Sequence, residues 1–266
     1  MRETKPKVRI ICRPQIDWGE ISSYLLPRGG APWLSRVEFS GFDDGLDPMS
    51  DAEALVEFAG RLCYKSWAPG LNPNVTKVRE DSGEYLANIL KSKHGSVLEH
   101  ANFSFIFEDV SRVFTHELVR HRAGIAISQE SLRYVRLQDL DFRIPAVLEP
   151  MREQVVSIVE RLEEFQKEAA EKFGLDDEGV PFHYKKEVTS ALRRLAPLGL
   201  STQMVWSANV RTLRHVIENR TAPGAEEEIK EVFSLVAEKM LDECPFLFGD
   251  FKVDEKGSWI PEYAKV

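Results

Sequence analysis

Ser111-Arg-Val-Phe-Thr-His-Glu-Leu-Val-Arg120-His121-Arg122, followed after a short spacer by Ser131-Leu132-Arg133-Tyr134, is the stretch from which the rest of the chain is read. Val113, Phe114 and Leu118 lie on one stripe behind a serine, so the periodicity predicts a helix capped by Ser111, and Gly124 sits where helices commonly stop. Arg120, His121, Arg122, Ser131 and Arg133 fall within 14 residues of a chain with 43 acidic and 35 basic side chains. A local anion site is thereby set into a protein whose net charge of -8 repels anions. Residues two apart on a regular helix point about 200° from each other, so Arg120 and Arg122 cannot reach one ligand atom from such a helix. Either the helix frays there, or the two arginines serve different ligands or subunits. The plain alternative is that they offset the helix dipole, worth about 0.3–1 kcal/mol.

Working outward, Asn102-Phe-Ser-Phe-Ile-Phe107 alternates and leads into that helix as a strand with Phe103, Phe105 and Phe107 inward. Val8 to Arg13 reads as a short strand, Leu26 to Trp33 as a Pro- and Gly-rich loop, and Asp51 to Tyr64 and Glu84 to Lys91 as helices. Trp67 to Asn74 is a loop. Asp141 to Pro145 is a short strand, and Leu148 to Phe173 and Lys185 to Leu195 are amphipathic helices. Leu200 to Trp206 is a buried strand or helix start. Between Asn209 and Asn219, Arg211, His215 and Asn219 share one face opposite Leu213, Val216 and Ile217, a pattern that suits the edge of a nucleotide or an exposed polar face equally. Ala225 to Leu241 is helical, Phe246, Leu247, Phe248 and Phe251 pack on the core, and the tail from Lys252 is loosely ordered.

Composition bounds the function. At 266 residues the chain can bury a substantial core, and one domain is expected. The acidic balance argues against general nucleic-acid or anionic-membrane binding, and no apolar run reaches about 18 residues. Cys12, Cys63 and Cys244 are scattered, odd in number and follow no signal peptide, which predicts a reducing, cytoplasmic setting. His94 and His100 read as a hydrogen-bonded pair at a strand entry, and no metal-ligand spacing is present. A dinucleotide fingerprint and a Walker loop are missing as well, so any flavin is held outside a Rossmann fold.

The triplet Arg120-His121-Arg122 with Ser131 and Arg133 resembles the signature of the flavin-dependent thymidylate synthases. His94-Gly-Ser-Val-Leu-Glu-His100 and Trp206-Ser-Ala-Asn-Val-Arg-Thr-Leu with Asn219-Arg220 extend the resemblance over residues 50 to 250 or so. Residues 1–50 match weakly as an N-terminal extension, and 252–266 form a tail to a single 1–266 domain. The resemblance implies an α+β fold with a central, mostly antiparallel sheet flanked by helices, assembled as a homotetramer with sites at subunit interfaces. It implies conversion of dUMP to dTMP with FAD, NADPH or NADH as reductant and 5,10-methylenetetrahydrofolate as carbon donor. His94, Ser96, Arg120, His121, Arg122, Gln129, Asn209, Arg211 and His215 then fall to the flavin. Glu117, Arg120, Ser131, Leu132, Arg133, Arg193 and Arg220 fall to dUMP, with Arg220 catalytic against the uracil ring.

Four departures stand out. The spacer 123–130 has eight residues where the family pattern has seven, which shifts which of Ser128, Gln129 and Glu130 faces a ligand. Glu117 stands where glutamine is usual, Gln129 where glutamate is common, and Gly224 where many members have histidine. None of the cysteines lies in the Pro-Cys-His context of the folate-only synthases. A competing function, a non-catalytic RNA- or phosphopeptide-binding module using the same arginines, requires a basic face with exposed aromatics. A flavin-binding regulator without activity is the other alternative.

Overall fold

The structure, a computed structural model, describes residues 1–38, 49–135, 137 and 139–266. In chain order the elements are β1 (Arg2–Glu3), β2 (Lys7–Cys12), α1 (Trp18–Leu25), α2 (Ala31–Glu38), α3 (Asp51–Tyr64), α4 (Ser82–Lys91), β3 (Asn102–Ser111), α5 (Arg112–Leu118), β4 (Ile125–Gln129) and β5 (Asp141–Phe142). They continue as α6 (Arg152–Lys172), α7 (Phe182–Leu192), β6 (Ser201–Asn209), α8 (Val210–Arg220), α9 (Glu227–Glu243), α10 (Pro245–Phe248), β7 (Phe251–Val253) and β8 (Trp259–Pro261). Short 3-10 turns occupy Leu26–Arg28, Gly95–Glu99, Ala146–Met151 and Arg193–Leu195.

The centre is a four-stranded antiparallel sheet in the order β2-β3-β6-β4, and β1 with β5 forms a separate parallel pair. Pairing of Phe103 with Ala208, Phe105 with Trp206 and Phe107 with Met204 puts the large residues of both central strands on one face. All six are at most 2% exposed. Helix α9 covers that face: Phe233 stands edge-on to Trp206 at 5.7 Å and to Phe107 at 6.2 Å. The opposite face carries smaller groups, among them Ser104 and Ser207, whose hydroxyls bond at 2.7 Å. The α+β class and the antiparallel sheet stand as the resemblance implies.

Caps set the helix starts. Ser50 and Glu53 form a reciprocal capping box at α3, Ser111 Oγ accepts from Phe114 N at α5, and Asn209 Oδ1 accepts from Thr212 N at α8. Because β3 and β6 are antiparallel, α5 leaves one end of the sheet and α8 the other, and their C-terminal ends meet over the core.

Four expectations need correction. Leu26 to Trp33 is a 3-10 turn followed by the start of α2, because Trp33 is fully buried against Trp67 and Phe58 and that packing outweighs the local Pro and Gly content. The tail is ordered: β7 and β8 pair, Trp259 is buried, and Arg214, itself buried, bonds Asp250 at 2.6 and 2.8 Å and the carbonyl of Tyr263 at 3.0 Å. Phe246 keeps 39% of its surface exposed while Leu247, Phe248 and Phe251 are buried. His94 and His100 do not bond each other; His94 lies edge-on to Tyr64 at 5.9 Å.

Candidate active site

Helix α5 ends at Leu118, so the triplet lies beyond it in a turn, and the fraying alternative is the one the fold adopts. The opposed directions that a regular helix would impose on Arg120 and Arg122 therefore do not arise. The turn closes at Gly124, whose φ of 67° suits glycine and where an added Cβ would stand 2.4 Å from Asn209 Nδ2 and 2.6 Å from Thr212 Oγ1. Thr212 Oγ1 in turn donates to the carbonyl of Ala123 at 2.9 Å. The triplet is thus pinned to the first turn of α8.

Arg220, the last residue of α8, sits at the meeting of the two helices. Its Nε donates to His121 Nε2 at 2.8 Å, its Nη1 to Glu117 Oε2 at 2.8 Å and its Nη2 to the carbonyl of Glu117 at 3.0 Å. Glu117 and His121 both spend themselves on Arg220, and not on each other. A guanidinium has five N–H groups, so two remain for a ligand. With 20% of its side chain exposed, Arg220 is oriented by protein on one side and open on the other.

His121 is the most perturbed group here. Burial, then the Arg220 cation, then His215 push its pKa down to about 4. Its Nε2 accepts from Arg220, so the neutral ring carries its proton on Nδ1. His215 stands edge-on at 6.0 Å, and Asn219 Nδ2 donates to the His215 carbonyl at 2.7 Å.

Arg120, His121, Arg122, Asn209, Arg211 and His215 line one cavity of about 570 Å³, within the usual range for small-ligand sites. These are six of the nine residues expected at the flavin. The side chains of Arg120 and Arg122 make no hydrogen bond or ion pair among the described residues, which leaves two exposed guanidiniums free for an anion. Arg211 is engaged, by Glu99 at 2.6 Å and by the backbone of Val266 at 3.0 Å. The other three expected flavin residues lie elsewhere: His94 faces a second cavity, Ser96 is exposed in the Gly95–Glu99 turn, and Gln129 ends β4.

The eight-residue spacer resolves into a strand register. Gln129 turns toward α5 and donates to Thr115 Oγ1 at 3.3 Å, Glu130 accepts from Gln203 N at 3.2 Å, and Ser128, just before them, is exposed. Beyond it, Ser131 Oγ accepts from Arg133 N at 3.3 Å, Leu132 packs at the edge of the cluster around Leu140 and Val159, and Arg133 reaches over Tyr134 at 6.0 Å. Arg193 closes α7, and its charge joins burial in lowering the pKa of Arg112. No hydrogen bond or ion pair among the described residues joins Ser131, Arg133 or Arg193 to Arg220. The sequence reading missed the tail residues Tyr263, Lys265 and Val266, which line the cavity. The signal was present: Phe251-Lys-Val and Trp259-Ile-Pro bracket a Lys-Gly turn, which is a hairpin pattern.

In this α+β protein, unpaired arginines line a cavity around a neutral histidine that a fixed arginine holds from behind, an arrangement suited to an anionic, nucleotide-like ligand. The profile of the family described as thymidylate synthase complementing protein matches residues 46–246. The chain is 34% identical over 229 residues to a flavin-dependent thymidylate synthase of Mycobacteroides abscessus, covering 83% of this chain and 88% of that protein. To the flavin-dependent thymidylate synthase of Corynebacterium glutamicum it is 34% identical over 239 residues, 87% and 88% of the two chains. To that of Mycobacterium marinum it is 35% identical over 259 residues, 95% and 93%. The chain belongs to the flavin-dependent thymidylate synthase family.

Proposed function

We propose that the chain converts dUMP to dTMP by reductive methylation, with 5,10-methylenetetrahydrofolate as carbon donor, FAD as cofactor and NADPH or NADH as reductant. The observation that carries this is the triply anchored Arg220 beside a cavity with free arginines. Methylation at C5 of uracil needs electron density there, and that density rises when negative charge growing on the ring oxygen and nitrogen meets a fixed cation. Arg220 suits the task because it stays protonated and its orientation is set before the ligand arrives.

The residues fit a flavin dinucleotide. Arg120 and Arg122 offer unpaired cations to a pyrophosphate, neutral His121 offers Nδ1–H, and Asn209 and His215 offer polar edges in the same cavity. FAD when bound supplies hydride, so no protein nucleophile is needed. The chain contributes position, charge and a walled space. Ser131, Arg133 and Arg193 take the nucleotide phosphate in this reading, and Glu117 holds Arg220.

The homotetramer belongs to the same proposal. Met151, at the cap of α6, and Ile158 and Phe165 within it recur every seven residues and are 53%, 61% and 42% exposed, a stripe of large apolar side chains turned by about 100° from the buried Val159 and Ala170. Such a stripe marks an association surface. Reconstitution tests the whole reading: protein incubated with FAD, dUMP, methylenetetrahydrofolate and NADPH or NADH is expected to release dTMP. A folded, flavin-loaded protein that releases none overturns it.

A further inference from the structure

On the far side of the Gly95–Glu99 turn from the triplet, a second cavity of about 470 Å³ opens between the loop after α3 and the end of α4. Lys77, Arg79, Lys93 and His94 line it together with the aromatic rings of Tyr64 and Tyr85, and none of its lining residues is acidic. In a chain with eight more acidic than basic side chains, that is a strong local inversion of charge. Lys77 and Lys93 are both exposed, and neither forms an ion pair among the described residues.

The cavity wall is held by a buried device. Arg61 and Glu57, both 0% exposed, pair at 2.6 Å, and Arg61 donates to the carbonyls of Ser66 and Arg79 at 2.8 Å each while its guanidinium lies 4.2 Å from the centre of the Tyr85 ring. A buried ion pair is a poor source of stability compared with apolar packing. Here it ties two distant points of one loop, Ser66 and Arg79, around the cavity. Tyr64, 51% exposed and edge-on to His94 at 5.9 Å, places a flat hydrophobic rim beside the cations.

We propose that this cavity receives the multiply anionic end of a ring-bearing cosubstrate, with Lys77, Lys93 and Arg79 meeting its charges and Tyr64 and His94 its ring. The proposal rests on the thymidylate synthase reading, and two cosubstrates of that reaction share the chemistry: the polyglutamate tail of a folate and the 2′-phosphate of NADPH. His94, which faces this cavity and not the one around the triplet, then sits between cosubstrate and cofactor.

Two ligand pairs separate the sources on FAD-loaded protein: tetrahydrofolate with one and with five glutamates, and NADPH with NADH. The test variant is Lys77→Gln with Lys93→Asn; Lys93 has a φ of 58°, a conformation asparagine tolerates, so the exchange leaves the backbone unstrained. In the natural chain one pair is expected to show a gap in Kd of about tenfold, since several exposed ion pairs of ordinary strength together reach that factor. In the variant the gap closes to within about twofold while the less charged ligand binds as before, and the pair that responds identifies the source. No gap in either pair, or a gap that survives in the variant, overturns the proposal. Failure of the thymidylate synthase reading looks different, because the chain then takes up no flavin. In that case inorganic tripolyphosphate is the probe: protection of Lys77 and Lys93 from amine acylation supports an anion site, and equal labelling with and without it overturns one.

Discussion

The end of α8 and the lobe from residue 130 to 200 each carry part of the expected nucleotide site, and they are built in opposite ways. Around Arg220, side chains are bonded to one another, and the helix beneath them has Leu213, Val216 and Ile217 fully buried. In the lobe, Arg133 and Arg193 are exposed, and large apolar residues such as Ile158, Phe182 and Leu198 face outward at 61%, 68% and 54%. One half of the site is finished within a single chain. The other half displays the exposed apolar surface that the proposed assembly would cover.

Removing the finished half has the largest effect. Arg220→Ala is expected to lower dTMP formation by about 10²-fold or more, the size found when a preorganised charge partner is deleted, equal to roughly 2.7 kcal/mol. Flavin reduction by the pyridine nucleotide persists in that variant, because it does not need the uracil cation. Arg220→Lys recovers activity only in part, since an ammonium cannot meet Glu117 and His121 with the same fork. Steady-state dTMP assays run beside anaerobic flavin reduction separate the two steps, and full activity in a folded Arg220→Ala protein would end the catalytic assignment.

Charge placed on the lobe attacks the unfinished half. Ile158→Asp with Phe165→Asp puts two carboxylates on an exposed apolar stripe and leaves the inward-facing Val159 and Ala170 in place. Sedimentation is expected to show subunits separating, and flavin is expected to leave with them. A dissociated chain that keeps a full complement of flavin would show that the site is complete in one subunit.

The contrast also explains what could be read from the sequence. The elements around Arg220 were legible where cap and periodicity could be read: Ser111 caps the helix it was expected to cap, and the Leu213-Val216-Ile217 face packs inward on the helix that forms. Asp51 to Tyr64 has the same boundaries in sequence and structure because Ser50 and Glu53 form a capping box. What was hidden depends on contacts distant in sequence. The early stop of α5 follows from the turn at Gly124 packing on Asn209, 85 positions away, and no local pattern shows this. Order in the tail comes from Arg214 reaching Asp250 and Tyr263. The choice among Ser128, Gln129 and Glu130 needed the register of β4 against β6, which a one-residue insertion conceals.

Smaller changes at the finished half sharpen its roles. Glu117→Gln keeps an acceptor for Arg220 Nη1 and loses only the charge, so dTMP formation is expected to fall by less than about tenfold, the difference between a charge-assisted and a neutral hydrogen bond. A loss as large as that of Arg220→Ala would make the carboxylate itself essential. Acid offers a milder probe. The folded chain keeps His121 neutral down to about pH 4, whereas the unfolded chain protonates it near its ordinary value of 6.5. Its contribution to stability is therefore full above pH 6.5 and is lost as the pH falls toward 4. Thermal midpoints across that range should decline less in a His121→Gln variant, and identical slopes would show that His121 is not held neutral by the fold.

The smallest effect is expected from the three cysteines, which lie outside both halves of the site. Cys12 and Cys63 are exposed on β2 and α3, and Cys63 Sγ donates to the carbonyl of Ala59, four residues back in its own helix. Cys244 is fully buried, 3.5 Å from Ser50 Oγ, and burial first, then the Glu53 carboxylate, raise its pKa well above the ordinary thiol range. A thiol so held gives no thiolate near neutral pH and no nucleophile. Replacing Cys12 and Cys63 with serine and Cys244 with alanine should leave dTMP formation within about twofold of the natural chain. The cost appears in stability, about 1 kcal/mol for a small buried group removed beside the α3 cap, and thermal unfolding reads it. Loss of turnover in a triple variant that still folds and holds flavin would mean that a cysteine attacks the pyrimidine, and the role given to Arg220 would have to be rebuilt around it.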